Sequence, residues 1–311
     1  MRYPDFYCIG AQKAGTTWLH DNLALHPAVW MPFLKEIHYF NWLYLEYQRR
    51  WIERDWDKRV RTAIIDHVTQ HTGNRLLASG LLRNFLPKQR RKNQDRSAEK
   101  LDYRWLHYLS DIRIGPIDDK WYGNIFSLCP NEALCGEMTP EYSILPEEGI
   151  EHILRLSPSA KFILLLRDPV DRDFSHLRMM IKAGILNSTA DEMIAMSERK
   201  DVYRRSDYLG IIKQWESMVG SDRLFIGFFD EIATNPQALM KRCVSFLGLE
   251  FKEGYFPNIA AKVHKGTEIL MPAELGKSLI KRHSATLLEM ARRYPDPCRR
   301  WAKRHGLKCE S

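Results

Sequence analysis

Phe6-Tyr7-Cys8-Ile9-Gly10-Ala11-Gln12-Lys13-Ala14-Gly15-Thr16-Thr17-Trp18-Leu19 is the stretch whose reading decides the fold. Phe6 to Ile9 is a short apolar and aromatic run of the kind that forms a buried strand, and Gly10 breaks it. After Gly15, the residues Thr16, Thr17, Trp18, Leu19, Asn22 and Leu23 read as a helix. It ends before His26-Pro27, because a proline disfavours helical geometry in the residue before it. A strand, a glycine loop and a helix N-terminus in succession make an anion site. The loop amides and the first unpaired helical N–H groups converge there, and the helix dipole adds partial positive charge. Lys13 contributes a full charge.

The spacing narrows the choice of anion. A nucleoside-triphosphate P-loop places its lysine directly after the second glycine, as G-x-x-x-x-G-K-[ST]. Here Gly10 and Gly15 keep the glycine spacing, but the lysine stands at 13 and Thr16 takes its place. The loop is therefore P-loop-like without being a nucleoside-triphosphate motif.

Outward from this loop, 311 residues suffice for one large core, or for one core plus a subordinate lobe. The 44% hydrophobic and 28% charged residues are ordinary for a globular chain and argue against wholesale disorder. No apolar run approaches the roughly 20 residues needed to cross a bilayer, and the first residues lead straight into the first strand, so a cytoplasmic location is the expectation. Six scattered cysteines without C-x-x-C spacing support neither zinc nor a disulfide framework, and reduced thiols are expected. The net charge of +8 is peripheral. Residues 41–120 carry 17 Lys/Arg against 11 Asp/Glu, and residues 277–308 carry 10 against 2. Such flanks suit solvated helix faces, or an anionic partner such as nucleic acid, acidic glycan or a membrane surface.

Further along, Lys35-Glu36-Ile37-His38-Tyr39-Phe40-Asn41 would, if extended, project Glu36 and His38 to one side. A carboxylate and an imidazole on one face suit proton abstraction, and position alone does not decide between them. Residues from about 43 to 120 turn helical, basic and aromatic, and read as an insertion in a single domain spanning 1–311. Its stretch Leu86 to Arg96 reads as an exposed loop. Trp121-Tyr122 to Cys129 reads as a helix, Ala133 to Gly136 as a short strand, and residues 147–157 as a helix. Lys161 to Leu166 is the clearest buried strand, followed by Arg167. Asp168-Pro169 supplies an N-cap and first helical position for a helix carrying Ser175. A helix near 207–219, a strand Leu224 to Phe229 and a helix Pro236 to Leu247 closed by Gly248 come next. A polar loop from Lys262 to Thr267 and a basic helical tail complete the chain. Strands alternating with helices predict a three-layer α/β domain with a mainly parallel sheet. In such a sheet ligands bind at the carboxyl ends of the strands, where Arg167 stands.

Three separated segments together resemble sulfotransferases that use 3′-phosphoadenosine 5′-phosphosulfate (PAPS). Gln12 to Leu19 is similar to their 5′-phosphosulfate loop, and Leu166 to His176 to their 3′-phosphate motif, in which an arginine and a serine eight residues later hold that phosphate. Lys265-Gly266-Thr267 matches their late nucleotide-covering loop. The resemblance implies donor contacts from Lys13, Ala14, Gly15, Thr16, Thr17 and Trp18, and from Arg167, Ser175, Lys265, Gly266 and Thr267. Lys35 to Phe40 is most similar to the heparan-sulfate-type and related bacterial enzymes. That likeness implies Glu36 as the base, His38 as its partner and Lys13 as a catalytic cation. Two positions depart from that branch: Asn41 stands where an acid is usual, and Met138 where a lysine is usual, which argues against heparan itself as acceptor. A glycan or small metabolite, sulfated at a hydroxyl or amine, is the expectation, with PAP as product, no metal and no nucleic-acid partner. The competing readings are a P-loop kinase, in which Phe162 to Asp168 would imitate the strand and Asp that hold Mg²⁺, and a basic nucleic-acid-binding protein.

Overall fold

The computed structural model describes residues 1–32, 35–56, 58, 116–261 and 269–309. These fall into two compact units, Met1–Tyr3 with Leu45–Leu128, and Pro4–Tyr44 with Cys129–Ser311. In the first unit residues 46–56 are helical, and the helix Asp119–Phe126 starts where the Asp118 carboxylate accepts the Trp121 N–H at 2.8 Å. Trp56 lies against Trp121 with ring centroids 5.6 Å apart. Most of the expected insertion at 43–120, including Trp105 and the loop Leu86 to Arg96, lies outside the described residues.

The second unit holds a five-stranded parallel sheet: β1 Phe6–Gly10, β2 Val29–Trp30, β3 Leu134–Met138, β4 Lys161–Leu166 and β5 Leu224–Phe228, in the order β2-β3-β1-β4-β5. Strands sealed on both faces need side chains that are apolar on both faces. β1 is buried throughout, and Phe162 to Leu166 in β4 are wholly inaccessible to solvent. Helices therefore cover both sides, giving the expected three-layer α/β, P-loop-like architecture. After β3 the chain crosses β1 to reach β4. The switch in strand order thus falls at the central strand, and the crevice lies at its carboxyl end.

Local signals set most boundaries. Asp168 caps the helix Pro169–Lys182 by accepting the Val170 N–H at 3.0 Å, with Pro169 at the first helical position. Gly248 ends the helix Pro236–Leu247 in the left-handed conformation, φ 83°. Three expectations are adjusted. β3 runs on to Met138, which carries Glu137 into the sheet. β5 stops at Phe228, because the Glu231 carboxylate reaches back to accept the Phe228 N–H at 3.1 Å and starts a helix at Phe229–Thr234. Residues 35–38 are not an extended strand: Glu36 and His38 both have φ 64°. Among the described residues no helix is long and apolar enough to cross a membrane.

Candidate functional site

Four strand ends supply the site. From β1 the loop passes through Lys13, φ 70°, and Gly15, φ 92°, into the helix Thr16–Leu23. Gly15 packs against the helix that follows β5: a Cβ there would meet the Ile232 Cδ1 and stand 3.1 Å from Phe229. Leu19 N–H is the first to find an intrahelical acceptor, the Gly15 carbonyl. The N–H groups of Thr16, Thr17 and Trp18 lie in the first turn, where helix geometry leaves donors unpaired, and neither a side-chain cap nor an acidic residue competes for them. Trp18 itself is buried, and its indole N–H donates to the Ile259 carbonyl at 2.8 Å.

β4 delivers Arg167 to the same place. Its Nη1 donates to the Lys13 carbonyl at 3.2 Å, a link across 154 residues of sequence, and its guanidinium lies 4.4 Å from the centroid of the Phe229 ring. Arg167 Nε is buried without a hydrogen-bond partner. An orphaned donor near the open first-turn N–H groups of a helix fits an anion. On the helix Pro169–Lys182, Met179 Sδ stands 3.9 Å from Lys13 Nζ, and half-buried Ser175 lies one turn before Met179 on the same face. Burial, then the neighbouring Arg167, push the Lys13 ammonium below its usual range, while the charge of Glu36 opposes them. Lys13, Ala14, Gly15, Thr16, Thr17, Arg167 and Ser175 are thus brought to one crevice. Lys265, Gly266 and Thr267 lie outside the described residues.

Glu36 and His38 do share a side, by a different route from the extended one. Their left-handed turn hangs on β3: Glu36 N–H donates to the Met138 carbonyl at 3.1 Å and His38 N–H to Thr139 Oγ1 at 3.4 Å. Thr139 and Tyr142 hydroxyls in turn donate to the buried Glu137 Oε1, each at 2.8 Å. The result places His38 Nε2 3.5 Å from Glu36 Oε2, and Lys35 Nζ 2.6 Å from Glu36 Oε1. Burial would raise the Glu36 carboxyl, but the His38 hydrogen bond and the Lys35 charge outweigh it and hold the group well below the usual carboxylate range. Asn41 is buried, with Oδ1 3.3 Å from His38 Nδ1, and Met138 is a buried core side chain.

One neighbour was given no role of its own by the sequence. His176, beside Ser175, is buried with Nδ1 unpartnered, and burial followed by Arg172 and Arg205 pushes its imidazole well below the usual range. In the sequence it stands only as the last residue of the stretch Leu166 to His176.

Comparison with known proteins bears on what this crevice does. The family model described as Sulfotransferase family matches residues 4–253. Human carbohydrate sulfotransferase 15 is 25% identical over 276 residues, covering 79% of this chain and 44% of that protein. The human bifunctional heparan sulfate N-deacetylase/N-sulfotransferase 2 is 24% identical over 270 residues, covering 80% and 22%. The chain therefore spans less than half the length of either relative. Among solved structures, a sulfotransferase from Alicyclobacillus acidocaldarius superposes with a TM-score of 0.57 at 20% identity, covering 94% of this chain and 96% of that one. A mouse sulfotransferase complexed with PAP gives 0.52 at 12% identity, covering 97% and 88%. At these identities the structures speak to the fold.

Proposed function

The chain belongs to the sulfotransferase family, and from that premise we propose that it takes the sulfuryl group from PAPS and passes it to a hydroxyl or amine of a carbohydrate or other small acceptor. The observation that carries this reading is the 3.2 Å hydrogen bond from Arg167 to the Lys13 carbonyl. It sets a guanidinium suited to a 3′-phosphate beside a loop suited to a 5′-phosphosulfate, as a donor with two separate anionic ends requires.

The donor supplies an activated sulfuryl group on a phosphate leaving group. Glu36 accepts the acceptor proton as the new bond to sulfur forms and the bond from sulfur to the bridging phosphate oxygen breaks. Lys13, the loop amides and the Thr16 and Thr17 hydroxyls face the charge left on that phosphate. Lys35 and His38 keep Glu36 ionised and oriented. Arg167 and Ser175 hold the 3′-phosphate. The kinase reading loses its metal ligand: Asp168, the residue that would hold Mg²⁺, spends one oxygen on Val170 N–H and the other on His305 Nε2, 2.7 Å away. Transfer is accordingly expected to persist in EDTA; complete loss in chelator with recovery in Mg²⁺ would reverse the choice.

The direct test is calorimetry with PAP, 5′-AMP, ATP and adenosine, followed by transfer from labelled PAPS to a panel of glycans, amines and phenols. PAP is expected to bind much more tightly than the other nucleotides. ATP binding as tightly as PAP would overturn the assignment.

A further inference from the structure

The helix Pro295–Arg304 packs against the segments that leave β4 and β5. Trp301 is wholly buried, edge-on to Phe228 at 5.8 Å, and its indole N–H donates to Asp230 Oδ2 at 2.8 Å. Arg304 Nη1 lies 2.7 Å from Asp171 Oδ2 and 3.5 Å from Asp168 Oδ2, while its Nη2 lies 3.4 Å from Asp230 Oδ1. His305 Nε2 is 2.7 Å from Asp168 Oδ2. Three carboxylates from two elements thus meet one short segment.

Their places in the chain give this arrangement its meaning. Asp168 is the residue after Arg167, and Asp230 is the residue after Phe229, the ring on which the Arg167 guanidinium lies. Each half of that stack therefore has its next residue held by the segment 301–305. Charge points the same way. Carboxylates beside a phosphate-binding arginine compete with the phosphate for it. The Arg304 guanidinium against Asp168, Asp171 and Asp230 draws their charge away from the Arg167 side. Burial and the neighbouring Asp168 push the Asp171 carboxyl up, as crowding of negative charge would.

We propose that Trp301, Arg304 and His305 are positioning residues for donor recognition, clasping Asp168, Asp171 and Asp230 so that Arg167 is aimed at the 3′-phosphate and left unneutralised by its own neighbours. The inference rests on the PAPS reading above and adds a third segment to the recognition of the donor's 3′ end.

The test uses the whole chain and two nucleotides that differ in the 3′-phosphate, PAP and 5′-AMP, in calorimetry on Arg304→Ala, His305→Ala and His305→Gln. Arg304 is exposed, so its truncation leaves the core packed. Arg304→Ala and His305→Ala are expected to lose about three- to tenfold in PAP affinity with 5′-AMP affinity unchanged, raising KM for PAPS without lowering kcat. His305→Gln keeps a donor near the Nε2 position and should recover most of the loss. Equal losses for both nucleotides, or an unchanged ratio, would show a merely structural clasp and overturn the proposal. A wild-type chain without preference for PAP would overturn the donor reading itself, which separates the two failures.

Discussion

Glu36 is the base in the mechanism proposed above. Glu36→Gln keeps the shape and removes the basicity, so kcat should fall by about 10²–10⁴ while PAP affinity stays nearly constant. His38→Asn should cost less, and the reverse order in steady-state kinetics would exchange their roles. The Glu36 carboxyl lies below its ordinary value because His38 and Lys35 favour the ionised form against the cost of burial. A base must be deprotonated, so the acid limb of the pH profile of kcat/KM should lie below the usual carboxylate range. Lys35→Met, by removing a stabilising charge, should move that limb to higher pH; a limb that stayed put would exclude Glu36 as its source. Arg167→Ala should lose about tenfold to a hundredfold in preference for PAP over 5′-AMP, the worth of a charge-assisted contact. The sequence reading puts Glu36 and His38 on one side of an extended segment, and the structure brings them within 3.5 Å without one. The left-handed turn that joins them was not legible, because neither residue type demands φ 64° and only the hydrogen bonds to β3 impose it.

At the scale of elements, the strand, loop and helix of the anion site depend on Gly15. Gly15→Ala puts a Cβ at φ 92° and against Ile232 and Phe229. The Ile232 methyl can move aside, but the backbone cannot, so a loss of about 1–2 kcal/mol in stability is expected, with weaker PAP binding. Denaturant melts and calorimetry on the same variant check both; an unaltered PAP affinity would mean that the loop amides do not bind the donor. Such elements are legible because a buried apolar run, Asp-Pro at a helix start and glycine at its end act over a few residues. The helix Phe229–Thr234 was missed, since its apolar first residue continues the period of β5 and the capping Glu231 acts only once the strand has ended.

Across the whole molecule, Asp173 ties the helix Pro169–Lys182 to the helix Ala273–Arg293. Wholly buried, it pairs with Arg172, accepts Ser206 Oγ–H at 2.6 Å and meets His283 Nε2 at 2.8 Å. Burial would raise its carboxyl, yet Arg172 and the His283 hydrogen bond hold it below the ordinary value of 3.8. A group depressed in the folded state stabilises above its unfolded value and ceases to as pH falls through the folded one. Asp173→Asn should therefore cost about 3–5 kcal/mol at neutral pH, since Arg172 is left uncompensated. The gap from wild type in urea melts should hold down to about pH 5 and shrink below about pH 4; a gap independent of pH would deny Asp173 this role. The sequence by itself determined the β1 loop and helix, the buried β4 strand and the capped helix after it, because propensity, periodicity and capping are local. Only the tertiary structure decided that Lys13 meets Arg167 across 154 residues and that a basic tail spends Arg304 on three carboxylates. A charge in a sequence names no partner, and strand order and the path of the chain select which opposite charge comes within hydrogen-bond reach.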